Sequence, residues 1–209
     1  MRSKIAVATV SGKAYYRLVN ELKQRNVSFL SLIPGESIPP SIKVVITTDG
    51  EKVLVDYPTI LVYDAEADPS PTINEAIRLA QSKEIYGEVS IGVDPGKTFG
   101  IAVLGDGKII KKEEGLTLEM AVDTILTELK QNPAKAQKVK IGTGIPELAE
   151  EVASRLKIAL PENARIEMVS EAGTSTFRGK GFRKKMSDAD SATYIAIKNS
   201  NLRSRRKAT

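Results

Sequence analysis

Short β-branched runs alternate with stretches of helical spacing from the start of the chain. Ile5 to Val10 is a β-branched run that Ser11-Gly12 breaks. Tyr15, Leu18, Val19 and Leu22 then recur on one helix face, with Ser11 placed to cap it. Val27 to Ile33 predicts a second strand, ended by Pro34-Gly35, and the two prolines of Ser37-Ile38-Pro39-Pro40 require a loop. Lys43 to Thr48 and Glu51 to Asp56 flank Asp49-Gly50, which predicts a hairpin. Thr59 to Tyr63 reads as another strand, and Ile73, Ile77 and Ala80 as a helix reaching about Lys83. After Tyr86-Gly87 the pattern restarts. Strands are predicted at Glu88 to Val93, Gly100 to Leu104 and Lys108 to Lys112, with a tight turn at Gly105-Asp106-Gly107. An amphipathic helix spans Leu118 to Leu129, with Met120, Ile125 and Leu129 as its expected core positions. Strand Lys138 to Gly142, helix Glu147 to Ile158, strand Arg165 to Ser170 and a final helix Asp188 to Lys198, capped by Ser187, complete the pattern.

The second segment thus reads β-β-β-α-β-α-β-α, a mixed sheet with helices on its faces. The expected organisation is a small α/β domain over residues 1–86, a larger α/β domain over 87–198 and a basic tail over 199–209. The first domain shows ordinary core faces and no chemical motif.

Composition narrows the chemistry. The 209 residues include no Cys and no His, so thiolate sites, the commonest general base and the commonest transition-metal ligand are all absent. Catalysis would rest on carboxylates, Lys, Arg, hydroxyls or backbone, and a metal on hard oxygen ligands, as magnesium (or manganese) accepts. No apolar run approaches the ~18 residues of a membrane span, so a cytoplasmic chain with no membrane partner is expected. The net charge of +5 is uneven. Residues 174–209 hold ten Lys/Arg and two Asp, while the rest carries 21 basic and 24 acidic residues. A near-neutral body with a basic end points to a polyanion such as nucleic acid.

The sharpest motif is Ile91-Gly-Val-Asp94-Pro-Gly96-Lys97-Thr98-Phe-Gly100-Ile-Ala-Val-Leu104. A carboxylate inside an apolar strand needs a cation or donors, and the glycines let another backbone or a phosphate come close. A P-loop fails on spacing, since Ile91 stands where its first glycine belongs. The phosphate loops of actin-like sugar kinases share Asp-x-Gly between strands, but those proteins need a second nucleotide-binding lobe. A plain turn-capping Asp is the structural alternative. Two further acidic positions matter: Glu171, ending the strand Arg165 to Ser170, and the Asp188/Asp190 pair opening the last helix, where acidic residues also offset the helix dipole.

In order, Gly-x-Asp94-Pro-Gly-x-x-x-x-Gly-Ile-Ala, then Gly142-Thr-Gly-Ile-Pro146, Ser170-Glu-Ala-Gly-Thr-Ser175 and Asp188-Ala-Asp-Ser-Ala192 resemble the RuvC/YqgF branch of the RNase H-like superfamily over roughly residues 88–198. These are Holliday-junction resolvases and their relatives. The resemblance implies an RNase H-like domain in which Asp94, Glu171 and Asp188, with Asp190 as the close alternative, are catalytic carboxylates. Asp94, Glu171 and Asp188 would hold Mg2+ (or Mn2+) for two-metal phosphodiester hydrolysis. It further implies a structure-selective endonuclease on branched DNA or RNA, roles in DNA recombination and repair, and a homodimer. The chain departs from the pattern at Gly142-Thr-Gly144, where resolvases carry Glu, and at Ser170-Glu171-Ala172, where an Arg is missing. A non-catalytic nucleic-acid-binding relative is therefore the alternative.

Lys97 and Thr98 are candidates for contact with a phosphate. In Phe177-Arg178-Gly-Lys180-Gly-Phe-Arg183-Lys184-Lys185, five basic residues and two aromatics among glycines suit phosphate neutralisation and base stacking. Arg203-Ser-Arg-Arg-Lys207 adds non-specific attraction. Backbone and shape recognition is expected rather than base readout.

Overall fold

A computed structural model describes residues 3–170 and 187–198. The chain divides into two compact units, 1–86 with 131–133, and 87–130 with 134–209. Both are α/β, with helices flanking the sheets.

In the first unit, β1 (Ile5–Ala8), β2 (Phe29–Leu32), β3 (Val44–Thr47) and β4 (Ile60–Val62) form a sheet of order β2-β1-β3-β4. Every pairing is parallel. Each strand is a short apolar run, as befits a sheet covered on both faces. The helix α1 (Gly12–Gln24) begins where the Ser11 side chain accepts from the Ala14 N–H, and buries Ala14, Leu18, Val19 and Leu22. The helix α2 (Pro69–Ala80) is capped by Asp68 and opens on a proline, which has no N–H to leave unsatisfied there. The loop-side face holds Ala6, Ala8, Ile42, Val45 and Val55.

The hairpin expected around Asp49-Gly50 does not form. Residues Asp49–Leu54 make a 3-10 helix instead. Thr48-Asp-Gly-Glu51 has the spacing of a capping box, and the Thr48 hydroxyl donates to Glu51 at 2.5 Å. β3 also has no free edge for a hairpin partner, since β1 and β4 occupy both sides.

The second unit contains β5 (Tyr86–Asp94), β6 (Phe99–Gly105), β7 (Lys108–Leu116), α3 (Leu118–Gln131), β8 (Ala134–Gly142), α4 (Pro146–Ala159), β9 (Ala164–Val169) and α5 (Asp188–Ile197). Its sheet has the order β7-β6-β5-β8-β9. The β5–β6 and β6–β7 pairs are antiparallel and the β8–β9 pair is parallel. Asp106 and Gly107 both have positive φ (48° and 76°), the requirement of the tightest right-twisting hairpin turn. The core is made of alternate strand residues such as Ile91, Val93, Ile101 and Val103 with helix residues Ile125, Leu129, Val152 and Leu156.

On α3 the expected core residue Met120 is 52% exposed, and the buried face is Ala121, Ile125, Glu128 and Leu129. Glu128 is tolerated there because Lys111 of β7 bonds it at 3.0 Å and bonds Glu113 at 2.7 Å. Burial alone would lower the Lys111 pKa, but the Glu128 charge and the hydrogen bonds to both carboxylates raise it. Among the described residues, no helix is long and apolar enough to cross a membrane.

Candidate functional site at the β5–β6 turn and helix α5

Helix α5 lies directly on the backbone of β5 and β6. A Cβ on Gly92 would fall 2.0 Å from the Ala192 carbonyl oxygen and 2.6 Å from the Ala196 nitrogen. A Cβ on Gly100 would fall 2.2 Å from the Asp188 carbonyl oxygen. Only glycine in the strands permits this approach. The helix answers with small buried residues, Ala189, Ala192 and Ala196. Ala192 and Ala196 join Ala102 and Leu104 in one apolar cluster.

Both ends of α5 are pinned. At the C-terminal end, where carbonyls lack helical partners, the Ser90 hydroxyl donates to Ala196 O at 3.0 Å. The Lys140 ammonium donates to Ala196 O and Lys198 O, each at 2.9 Å. Lys140 is only 4% exposed, and burial lowers its pKa. The Lys198 ammonium donates to Ser170 O at 2.6 Å.

At the N-terminal end the two carboxylates diverge. The Thr98 hydroxyl donates to Asp188 Oδ2 at 2.8 Å. Asp94 pairs in register with Gly100, the residue on which the Asp188 backbone rests. Asp94, Thr98 and Asp188 are therefore gathered at the β5–β6 turn, with exposed Lys97 beside them. Asp190 turns toward β7 and makes an ion pair with Lys112 at 2.8 Å. This geometry separates the two helix carboxylates: Asp188 belongs to the turn with Asp94, and Asp190 belongs to Lys112. The oxygen donors at the turn are of the hard type a magnesium ion accepts. Among the described residues, no three carboxylates stand close enough together to hold an ion. Glu171, Arg178, Lys180, Arg183, Lys184 and Lys185 lie outside the described residues.

Sequence reasoning missed Ser90, Lys112 and Lys140. No local signal was available for Lys140: it alternates with Val139 and Ile141, so by the two-residue period of a strand it reads as a solvent-side position, and only the packing of α5 on that face buries it.

Residues 4–80 match the family model of a response regulator receiver-like domain (REC-like_halo). No curated protein matches the chain. The family match corrects the reading of the chain as a RuvC/YqgF-type protein, because the family indicated is receiver-like. The nuclease, Holliday-junction resolvase, recombination and repair assignments are withdrawn with it. Packing accounts for the residues that suggested them. Gly92 and Gly100 are the strand positions on which α5 rests. Ser187 is an N-cap, its side chain accepting from the Asp190 N–H, and Asp188 and Asp190 occupy the first turn, where negative charge offsets the helix dipole.

Proposed function

We propose that the chain is a nucleic-acid-binding protein whose second unit, RNase H-like in strand order, grips a phosphate backbone with the help of a divalent cation at Asp94 and Asp188. The first unit acts as a receiver-like module. Three antiparallel strands with two further strands added beside the first support the reading of the second unit. The observation that carries the proposal is the grouping of Asp94, Thr98 and Asp188 where the β5–β6 turn meets the start of α5, the helix that basic segments flank in sequence. Asp94 and Asp188 would hold a magnesium or manganese ion, which would supply positive charge toward a phosphate backbone, and Lys97 would add a point charge beside it. Neutralised phosphates release counterions, so affinity should fall steeply with salt, with a slope of about −0.9 per phosphate on duplex DNA.

The test is fluorescence anisotropy with labelled single-stranded, duplex and branched oligonucleotides of DNA and RNA, across salt and with or without magnesium. The expected result is salt-sensitive binding strengthened by magnesium. Asp94→Asn and Asp188→Asn should each abolish the magnesium increment and leave the metal-free component. Absence of binding at low salt, or a magnesium increment unchanged in both variants, overturns the proposal.

A further inference from the structure

In the first unit the strand order reverses between β1 and β3, and open α/β sheets take ligands at the carboxyl ends of the strands beside such a reversal. Two crevices of about 460 Å³ each open there, on either side of the loop that joins β1 to α1. The first is walled by Val10, Tyr15, Ile33 and Glu36, the second by Asp49, Val62 and Asp64. Their apolar walls face solvent: Val10 is 71% exposed, Ile33 59%, Val62 40% and Tyr15 36%. Scattered exposed apolar residues are ordinary, but a contiguous set rimmed by charge marks a docking surface.

The charge has one sign. Among the described residues, three carboxylates and neither Lys nor Arg line the two crevices. Lys13, adjacent in sequence, is tied to Glu66 at 2.6 Å, and Arg17 donates to the Ala65 carbonyl at 2.9 Å. The Val10 N–H is also taken, because it donates to Glu51 Oε1 at 2.7 Å. Burial works against the Glu51 charge. The hydroxyls of Thr48 and Thr9 and the N–H groups of Val10 and Thr48 nonetheless hold its pKa below the ordinary carboxylate value. The side chains that line this face therefore favour cations.

We propose that this carboxyl-end face docks a cationic peptide of a partner protein, a Lys/Arg-rich segment with aromatic or aliphatic anchors. The anchors lie over Val10, Tyr15, Ile33 and Val62, and the basic side chains face Glu36, Asp49 and Asp64. Two adjoining crevices match an extended segment better than a small amine. The inference concerns the first unit alone and does not depend on nucleic-acid binding by the second.

The test uses the 15N-labelled full chain and a short Lys/Arg-rich peptide carrying Phe anchors, with a Glu/Asp-rich peptide of the same anchors as control. Saturable amide shifts are expected at Gly12, Ser31 and Gly50 with the basic peptide only. The double variant Val10→Ser/Ile33→Ser should bind about tenfold more weakly, as expected for loss of central apolar contacts. Asp49→Asn/Asp64→Asn should weaken binding about fivefold at low salt and flatten its salt dependence. The Asn at position 64 keeps the oxygen that accepts the Glu66 N–H, so the turn survives. Equal binding of the acidic peptide, unchanged affinity in both variants, or no shift at these amides overturns the proposal. Shifts at the same amides on concentrating the protein without peptide would identify a second copy of the chain as the occupant, and would overturn it too.

Discussion

Gly92 and Gly12 show how differently one residue type can serve two places in a chain. Nothing lies within 4 Å of a Cβ built on Gly12, at the start of α1, whereas a Cβ on Gly92 would overlap the Ala192 carbonyl. Gly92→Ala must lift α5 or bend β5, so it should destabilise by about 3 kcal/mol, at the upper end of overpacking costs. Gly12→Ala should be neutral or stabilising by up to about 1 kcal/mol, since alanine is the better helix former. Urea unfolding of both variants checks this, and equal effects would mean that α5 does not rest on Gly92. The same comparison explains what was legible at this scale. The glycines around Asp94 correctly signalled a close approach, but a missing side chain does not reveal whether backbone or phosphate fills the space. Here a helix does, at Gly92 and at Gly100 alike. Lys112 was hidden for a related reason: its partner Asp190 is 78 residues away, and nothing local links the two.

Element by element, strands and helices with strong periodicity emerged close to their predicted places, and the failures have specific causes. Asp49-Gly50 is a good hairpin signal locally, but a hairpin needs a free strand edge, and pairing on both sides of β3 is a tertiary fact. The Thr48-x-x-Glu51 spacing was readable and pointed to the turn that formed. On α3, Met120 fits a helical stripe as well as Ala121 does, and only the position of the sheet decides between them. Helix α5 is a different case, because its attachment is polar at both ends. Lys140→Met removes the ammonium that serves Ala196 O and Lys198 O, leaving Ala196 O with the Ser90 hydroxyl and taking this donor from Lys198 O, a loss of about 1–3 kcal/mol. Thr98→Val removes the bond to Asp188 at the opposite end. Amide hydrogen exchange should show Lys140→Met loosening the last turn of α5 first, and Thr98→Val the first turn first. A uniform loss across the second unit in both variants would mean that these bonds support the whole core instead of the helix.

For the whole molecule, charge is the property that the sequence displays most directly and the fold interprets least. Residues 1–86 carry ten basic and ten acidic residues, so the excess of +5 resides entirely beyond them. In the sequence the restart after Tyr86 is a reset of the hydrophobic period. The likeness of residues 4–80 to a receiver-like domain was not visible, since parallel strands read as plain apolar runs without a chemical signature. The proposed division of labour gives the two units ligands of opposite charge, and the chain end separates them experimentally. Ending the chain after Lys198 removes Arg203, Arg205, Arg206 and Lys207 and leaves every described element of both units in the chain. If these residues neutralise duplex phosphates, each contributes about 0.9 to the slope of log affinity against log salt, so the slope should fall in magnitude by up to about 3.6. Magnesium-dependent strengthening, which the proposal assigns to Asp94 and Asp188, should persist in the shortened chain. Peptide docking at the first unit should be unaffected. Anisotropy titrations at several salt concentrations measure all three quantities on one preparation. An unchanged slope would show that the basic end does not touch the backbone, and would move the electrostatic contribution onto Lys97 and the segment 178–185.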